Sequence, residues 1–243
     1  MKDLPSRRHL LSSSLAAGLA LAATARGATK KDAAEKEKEE PEVTATEDLM
    51  REHGILRRIL LVYRGAAETL RRDAPAVDGA ALGEAARLFR TFGEEYHEKM
   101  LEEAHIFPVV RKRGGRAATY PDVLVEQHRR GREITDYVLA VTKRGRLAAP
   151  AGTELAGVFD ELDRMYENHA AREDTIVFPA WKSAFTNAQL DEIGDQFEDI
   201  EKKMFGHDGF EDAEKRISSI ETALGFEDLA KFTAPPPPKG AWP

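Results

Sequence analysis

The sequence predicts an all-α fold, an antiparallel up-down-up-down four-helix bundle with a C-terminal helical appendage. Three observations predict it. Apolar residues recur at steps of three and four along four long stretches, short Gly- or Pro-bearing breaks separate those stretches, and no region alternates with period two for long enough to form a sheet. Of the 243 residues, 42% are apolar, 33% charged and 7% aromatic, which is enough apolar material for one sizeable core or two small ones. There is no Cys, which excludes disulfides, thiolate zinc sites, iron–sulfur clusters and a cysteine nucleophile. A net charge of −7 argues against a nucleic-acid partner, which needs a basic face.

The first 25 residues read as an address. Lys2, Arg7 and Arg8 form a positive head, Leu10 to Ala25 is apolar and small, and Ala23-Thr24-Ala25 offers a cleavage site. This is the form of a secretory signal peptide. Ser6-Arg7-Arg8-His9-Leu10-Leu11 further matches a twin-arginine signal. The expectation is export to the periplasm or cell envelope by that route, with no stable membrane insertion after signal cleavage. Residues 26–45 are charged and almost devoid of large apolar groups, a composition that stays disordered. At the other end, residues 233–243 hold the run Pro235 to Pro238, a stiff extended tail.

Between these ends, residues 46–184 carry the bundle and 185–232 the appendage. The first helix, about 46–72, aligns Leu49, His53, Leu56, Leu60, Tyr63, Ala67 and Leu70 on one seam. Thr44 and Glu47 have capping-box spacing, and Pro75 prevents continuation. The second runs from about Asp78 to Lys112 and stops at Gly114-Gly115. The third starts near Pro121 and lines up Leu124, His128, Gly131, Thr135, Val138 and Thr142. After a break over Gly145–Gly152, the fourth, about 153–184, has Leu155, Phe159, Leu162, Tyr166, His169, Glu173 and Ile176 in its seam. Asn187 opens a fifth helix to about Phe205, and a short sixth follows Asp208, its cap. Asp191, Glu192, Asp195, Glu198, Asp199 and Glu201 read as a solvated acidic face.

Each long helix places a histidine in a seam that should be aliphatic: His53, His97, His128 and His169. Burying four unpaired imidazoles would cost roughly 1–3 kcal/mol each. A shared ligand removes that cost for all of them together. His169 and Glu173 stand four apart, on one helix face. Imidazole with carboxylate suits iron, manganese or zinc, and four histidines with two carboxylates suit two metals sharing bridging oxygens. His105 reads as a ligand or a donor to one, and His207 as a surface residue.

The sequence also repeats. Glu102-Glu103-Ala104-His105-Ile106-Phe107-Pro108 matches Glu173-Asp174-Thr175-Ile176-Val177-Phe178-Pro179, so helices two and four end alike. The match is imperfect, because His97 to Glu102 is a step of five. In a regular α-helix that step turns the side chain about 140° away. A π-bulge between His97 and Glu102 would bring Glu102 inward; a straight helix would instead point to Glu98 or Glu103.

With these residues in place, the chain resembles the hemerythrin-like family of His-His-Glu cation-binding domains over about residues 46–184. The resemblance rests on Asp48 to Gly54, on Tyr96-His97-Glu98-Lys99 through Phe107-Pro108, on Glu126-Gln127-His128 and on Asn168-His169 through Phe178-Pro179. It implies a four-helix bundle around two non-haem iron ions, joined by two carboxylates and an oxo or hydroxo group, with zinc or manganese as substitutes. His53, His97, His128 and His169 would be terminal ligands, and Glu102 and Glu173 bridges. Oxygen-carrying hemerythrins resemble this chain but have five histidines, two of them four apart on the third helix. Here Arg132 and Leu124 occupy the positions four from His128. That departure is closer to the di-iron proteins linked to iron–sulfur repair, nitric oxide or peroxide.

Three readings follow. The first is an envelope di-iron protein that binds or reacts with a small oxidant or diatomic: oxygen, nitric oxide or peroxide. The second is a metal store, buffer or sensor without turnover. The third is a helical partner-binding protein with structural histidines. Tyr63, Tyr96 and Tyr166 lie near the seams, as core aromatics or as donors to a bound oxygen species. The sequence does not choose between turnover and binding, and it leaves the oligomeric state open.

Overall fold

The computed structural model describes residues 43–238. The signal-peptide reading, most of the linker and residues 239–243 of the tail lie outside the described residues. Among the described residues there is no strand; the chain is all-helical and folds as a helical bundle. No described helix is long and apolar enough to cross a membrane.

Helix α1 spans Ala45–Asp73, and its cap Thr44 accepts a hydrogen bond from the Glu47 amide (3.3 Å). Val43 and Ala45 are already buried, so the charged segment ends a few residues before the expected 45. Helix α2 is one rod in three consecutive pieces, Gly79–Leu88, Phe89–Ile106 and Phe107–Arg113, capped by Asp78 and stopped at Gly114. Helix α3 spans Pro121–Thr142. Helix α4 is again a three-piece rod, Ala149–Arg172, Glu173–Val177 and Phe178–Lys182. Helices α5 (Asn187–Phe205) and α6 (Gly209–Leu224) complete the set.

The start of α4 corrects the expected break over 145–152. Pro150 lies in the first turn, where its missing N–H has no intrahelical partner to lose. Gly152 is needed there for close approach, since a Cβ on it would stand 2.3 Å from the Ala74 Cβ.

The four long rods pack in a ring in chain order: α1 on α2, α2 on α3, α3 on α4, and α4 back on α1 along its length. Tyr63 stacks on Phe159 across α1 and α4 (4.3 Å between ring centres), and Phe89 meets Tyr166 edge-on (5.1 Å) across α2 and α4. Helices α5 and α6 lie against α1 and α2. Their Leu190, Phe197, Ala213, Ile217 and Ile220 join the same continuous core, and Arg58 of α1 clasps Glu221 of α6 (2.9 and 2.5 Å). The expected acidic face is therefore only partly solvated. Glu198 and Glu201 are buried, because α5 packs its second half on the bundle. The Glu201 carboxylate accepts the Phe210 amide (2.8 Å), satisfying one of the orphan donors that open α6.

Candidate metal centre

The local structure of α2 decides which carboxylate faces the core. From Phe89 to Ile106 its hydrogen bonds follow the wide i→i+5 pattern, well beyond the single bulge expected between His97 and Glu102. The step of five then spans one π turn, and both His97 and Glu102 are buried. Helix α4 widens too, over Glu173–Val177, which the sequence did not suggest. Both widenings end alike. The Phe107 amide donates to the Glu102 carbonyl, and the Phe178 amide to the Glu173 carbonyl, each just before a proline. A proline ring clashes with the carbonyl four residues back, and an i→i+5 turn relieves that clash. The repeated Phe-Pro thus marks the end of a widened stretch.

All six residues singled out by sequence meet in one buried cluster. His53 Nε2 stands 3.5 Å from Glu173 Oε2, and His169 Nε2 3.0 Å from the same oxygen. His97 Nε2 is 3.4 Å from Glu102 Oε1, and His128 Nε2 3.3 Å from Glu102 Oε2. His128 and His169 also point their Nε2 atoms at each other (3.1 Å). The donor atoms form two overlapping groups: His53, His97 and Glu102; and Glu102, His128, His169 and Glu173. Glu102 belongs to both. None of the four oxygens of Glu102 and Glu173 accepts a hydrogen bond, nor has His97 Nε2 a hydrogen-bond partner.

These orphaned atoms fit a cation. Two donors each about 2.1 Å from one ion stand about 3–3.5 Å apart in tetrahedral or octahedral geometry, which is the spacing observed. A buried carboxylate whose oxygens accept no hydrogen bond is costly to desolvate, and here only the neighbouring imidazoles offset that cost.

The other face of each ring is held from a neighbouring helix. His97 Nδ1 donates to Glu52 of α1 (2.6 Å), and His128 Nδ1 to Glu103 of α2 (2.9 Å). His169 Nδ1 donates to Gln127 of α3 (2.9 Å), and His53 Nδ1 to Asp174 of α4 (2.7 Å). Each helix therefore carries a core-facing donor and, beside it in sequence, the acceptor that orients the histidine of the next helix. Adjacent helical residues are turned about 100° apart, so one faces the centre and the other the neighbour. A ring whose Nδ1–H is so engaged presents the Nε2 lone pair inward.

The electrostatics are those of a cation site. Burial pushes the Glu102 carboxyl up, but His97 and His128 beside it outweigh this and hold it well below the usual range. Burial and the charge of Glu102 raise Glu173, and His169 and His53 bring it below its ordinary value. Burial lowers His97, yet Glu102 and Glu52 leave it well above the ordinary imidazole value. His128 is likewise raised against burial, by Glu98, Glu102 and Glu103.

A model of the hemerythrin HHE cation-binding domain matches residues 44–181, and again residues 121–232. The chain belongs to the hemerythrin HHE cation-binding family. It is similar to uncharacterized proteins of Mycobacterium bovis and of two strains of Mycobacterium tuberculosis, each 40% identical over 96% of this chain and 94% of the relative. No solved structure matches it.

This hemerythrin-like protein differs from its sequence reading at several neighbours of the cluster. Glu98 and Glu103 do not take the place of Glu102: Glu98 accepts from the Tyr166 hydroxyl (2.6 Å), and Glu103 from Arg132 (2.6 Å) as well as His128. Arg132 also reaches Glu98 (3.3 Å), so a guanidinium fills the space one turn beyond His128. Leu124, one turn before it, is core. The Tyr96 hydroxyl donates to Glu52 (3.2 Å), and Tyr63 stacks in the core. His105 is exposed and meets the edge of Phe197 (5.7 Å between ring centres), away from the cluster. His207 is exposed, as expected. The sequence reading passed over Glu52, Gln127 and Asp174, and weighed Glu103 only as a substitute for Glu102, not as the partner of His128. The signal for them was there: two sit directly before a cluster histidine, and two complete the acidic pairs of the repeat.

Proposed function

We propose that this chain is an exported di-iron protein of the cell envelope that binds or reacts with a small oxidant or diatomic: oxygen, nitric oxide or peroxide. The observation that carries the proposal is the inward convergence of four Nε2 atoms and two buried carboxylates whose oxygens accept no hydrogen bond. In this reading His53 and His97 would hold one metal and His128 and His169 the other, and Glu102 and Glu173 would be the carboxylates the two share, within four long rods running up-down-up-down. Iron supplies redox chemistry and an affinity for diatomics that no side chain has. The protein's part is to orient the imidazoles through Glu52, Glu103, Gln127 and Asp174. Export rests on the Lys2-to-Ala25 segment with Arg7-Arg8.

The test is anaerobic reconstitution of the chain with ferrous iron, then metal analysis and optical spectra with oxygen and with nitric oxide. The proposal predicts two irons per chain, one for each donor group, and a charge-transfer band that changes with gas. Tight metal uptake with no response to either gas supports a metal store or sensor instead, with zinc or manganese as native ions.

A further inference from the structure

The turn that joins α5 to α6, residues 206–208, lands on the two helices that carry Glu52 and His97. Phe205, the last residue of α5, meets Tyr96 of α2 edge-on (5.4 Å between ring centres) and lies 6.2 Å from the Phe92 ring. Gly209, the first residue of α6, backs it from the other side: a Cβ there would stand 2.4 Å from Phe205 Cδ2. The hydrogen bond from the Phe210 amide to Glu201 closes the turn (2.8 Å). On α1, the Arg51 guanidinium, next in sequence to Glu52, lies over the Phe210 ring (4.6 Å).

Tyr96 is fully buried and also packs on Phe92 (5.7 Å), so two aromatic neighbours fix where its hydroxyl points. That hydroxyl donates to one oxygen of Glu52 (3.2 Å), and the other oxygen accepts from His97 Nδ1 (2.6 Å). The last torsion of a glutamate is broad and roughly two-fold. A partner on the far oxygen therefore helps to keep the near oxygen in line with the imidazole. Outer partners of this kind set the orientation of a metal-binding ring and its affinity. Two of the other acceptors are braced elsewhere: Asp174 by Arg57 and Glu103 by Arg132.

We propose that Phe205 is a positioning residue of the metal centre: it holds Tyr96, Tyr96 fixes Glu52, and Glu52 orients His97, so the α5–α6 appendage sets how tightly the His53–His97 half holds its ion. The inference rests on the metal reading above and not on which gas or oxidant the centre meets. The appendage is then part of the working site and not only a cover for the bundle.

The test is cobalt(II) uptake by the full chain in competition with a chelator. Phe205→Ala is expected to weaken uptake about tenfold, the lower end of the range for loss of an outer partner. Tyr96→Phe keeps the ring and removes only the hydroxyl; it should weaken uptake too, and it decides the matter if Phe205→Ala fails to fold. In a Glu52→Ala chain, Phe205→Ala should cost nothing further, because residues that act through one another are not additive. Ile220→Ala, which shares a groove with Ala81 and Glu84 near the start of α2, loosens the appendage there and should leave uptake unchanged. In the zinc-loaded chain, NMR should show the His97 Nδ1 proton exchanging with water faster in Phe205→Ala, and those of His128 and His169 as in wild type. Uptake by Phe205→Ala and Tyr96→Phe equal to wild type overturns the inference. So does the same tenfold loss in the Glu52→Ala background or in Ile220→Ala, or an unchanged His97 proton. A wild-type chain that takes up no cobalt overturns the metal reading itself.

Discussion

Glu94 is the buried carboxylate whose removal has the most calculable effect. It lies on α2, fully buried, accepts from the Thr135 hydroxyl (2.5 Å) and pairs with Arg90 (3.0 Å). Burial dominates these contacts and pushes its carboxyl from 4.5 up to about 7, with Glu98 adding to the rise. The folded chain therefore holds a proton there that the unfolded chain has released. This contribution to stability is fully present below pH 4.5 and is lost as pH rises through about 7. At about 1.4 kcal/mol per unit, the loss reaches about 3 kcal/mol at pH 8 and under about 1 kcal/mol at pH 5. Glu94→Gln keeps the shape and cannot ionise. Arg90 retains Asp136 and the Arg132 carbonyl as partners. The variant should thus match wild type near pH 5 and exceed it by about 3 kcal/mol at pH 8. Urea unfolding of both chains at the two pH values measures this, since groups common to both cancel in the difference. A gap that is the same at both pH values refutes the reasoning.

Other outcomes follow from the same geometry. Gly131→Ala places a Cβ 2.3 Å from the Tyr166 hydroxyl; overpacking of about 1–3 kcal/mol outweighs the gain of about 1 kcal/mol in helix propensity. Thermal unfolding should show a lowered Tm, partly restored by adding Tyr166→Phe. Glu52→Ala and Asp174→Ala each free the Nδ1 of one histidine in the His53–His97 half and should weaken metal binding about 10–100-fold, read by competition with a chelator. Chelation of the bound metal should lower Tm, because an ion present at about 100 times its Kd stabilises the folded chain by about 2.7 kcal/mol; differential scanning calorimetry with and without chelator reads the shift.

The helical rods and five of the cluster residues were legible because both follow the 3.6-residue period: His53, His97, His128, His169 and Glu173 sit where the apolar seam runs. Glu102 was legible only by breaking that period, and the break pointed to a local bulge. The wide turns run further, from Phe89, and recur in α4; Pro108 and Pro179 act on the carbonyl four residues behind each and so bear on the last wide turn of each stretch, not on its length. That is a backbone effect that side-chain spacing does not register. As acceptors for the histidines, Glu52, Gln127, Glu103 and Asp174 stayed hidden for another reason. Each serves a histidine on a different helix, and seam counting along one helix cannot tell an acceptor that faces a neighbour from one that faces solvent. Glu198 and Glu201 show the same limit in reverse: their acidity reads as exposure until α5 is seen to lie on the bundle.

The most direct measurement of the central claim is iron stoichiometry in the purified chain, before and after Glu102→Ala. If Glu102 joins the two donor groups, wild type holds two irons per chain and the variant loses both together. A wild-type chain that takes up no iron, or a variant that keeps its full complement, contradicts the account.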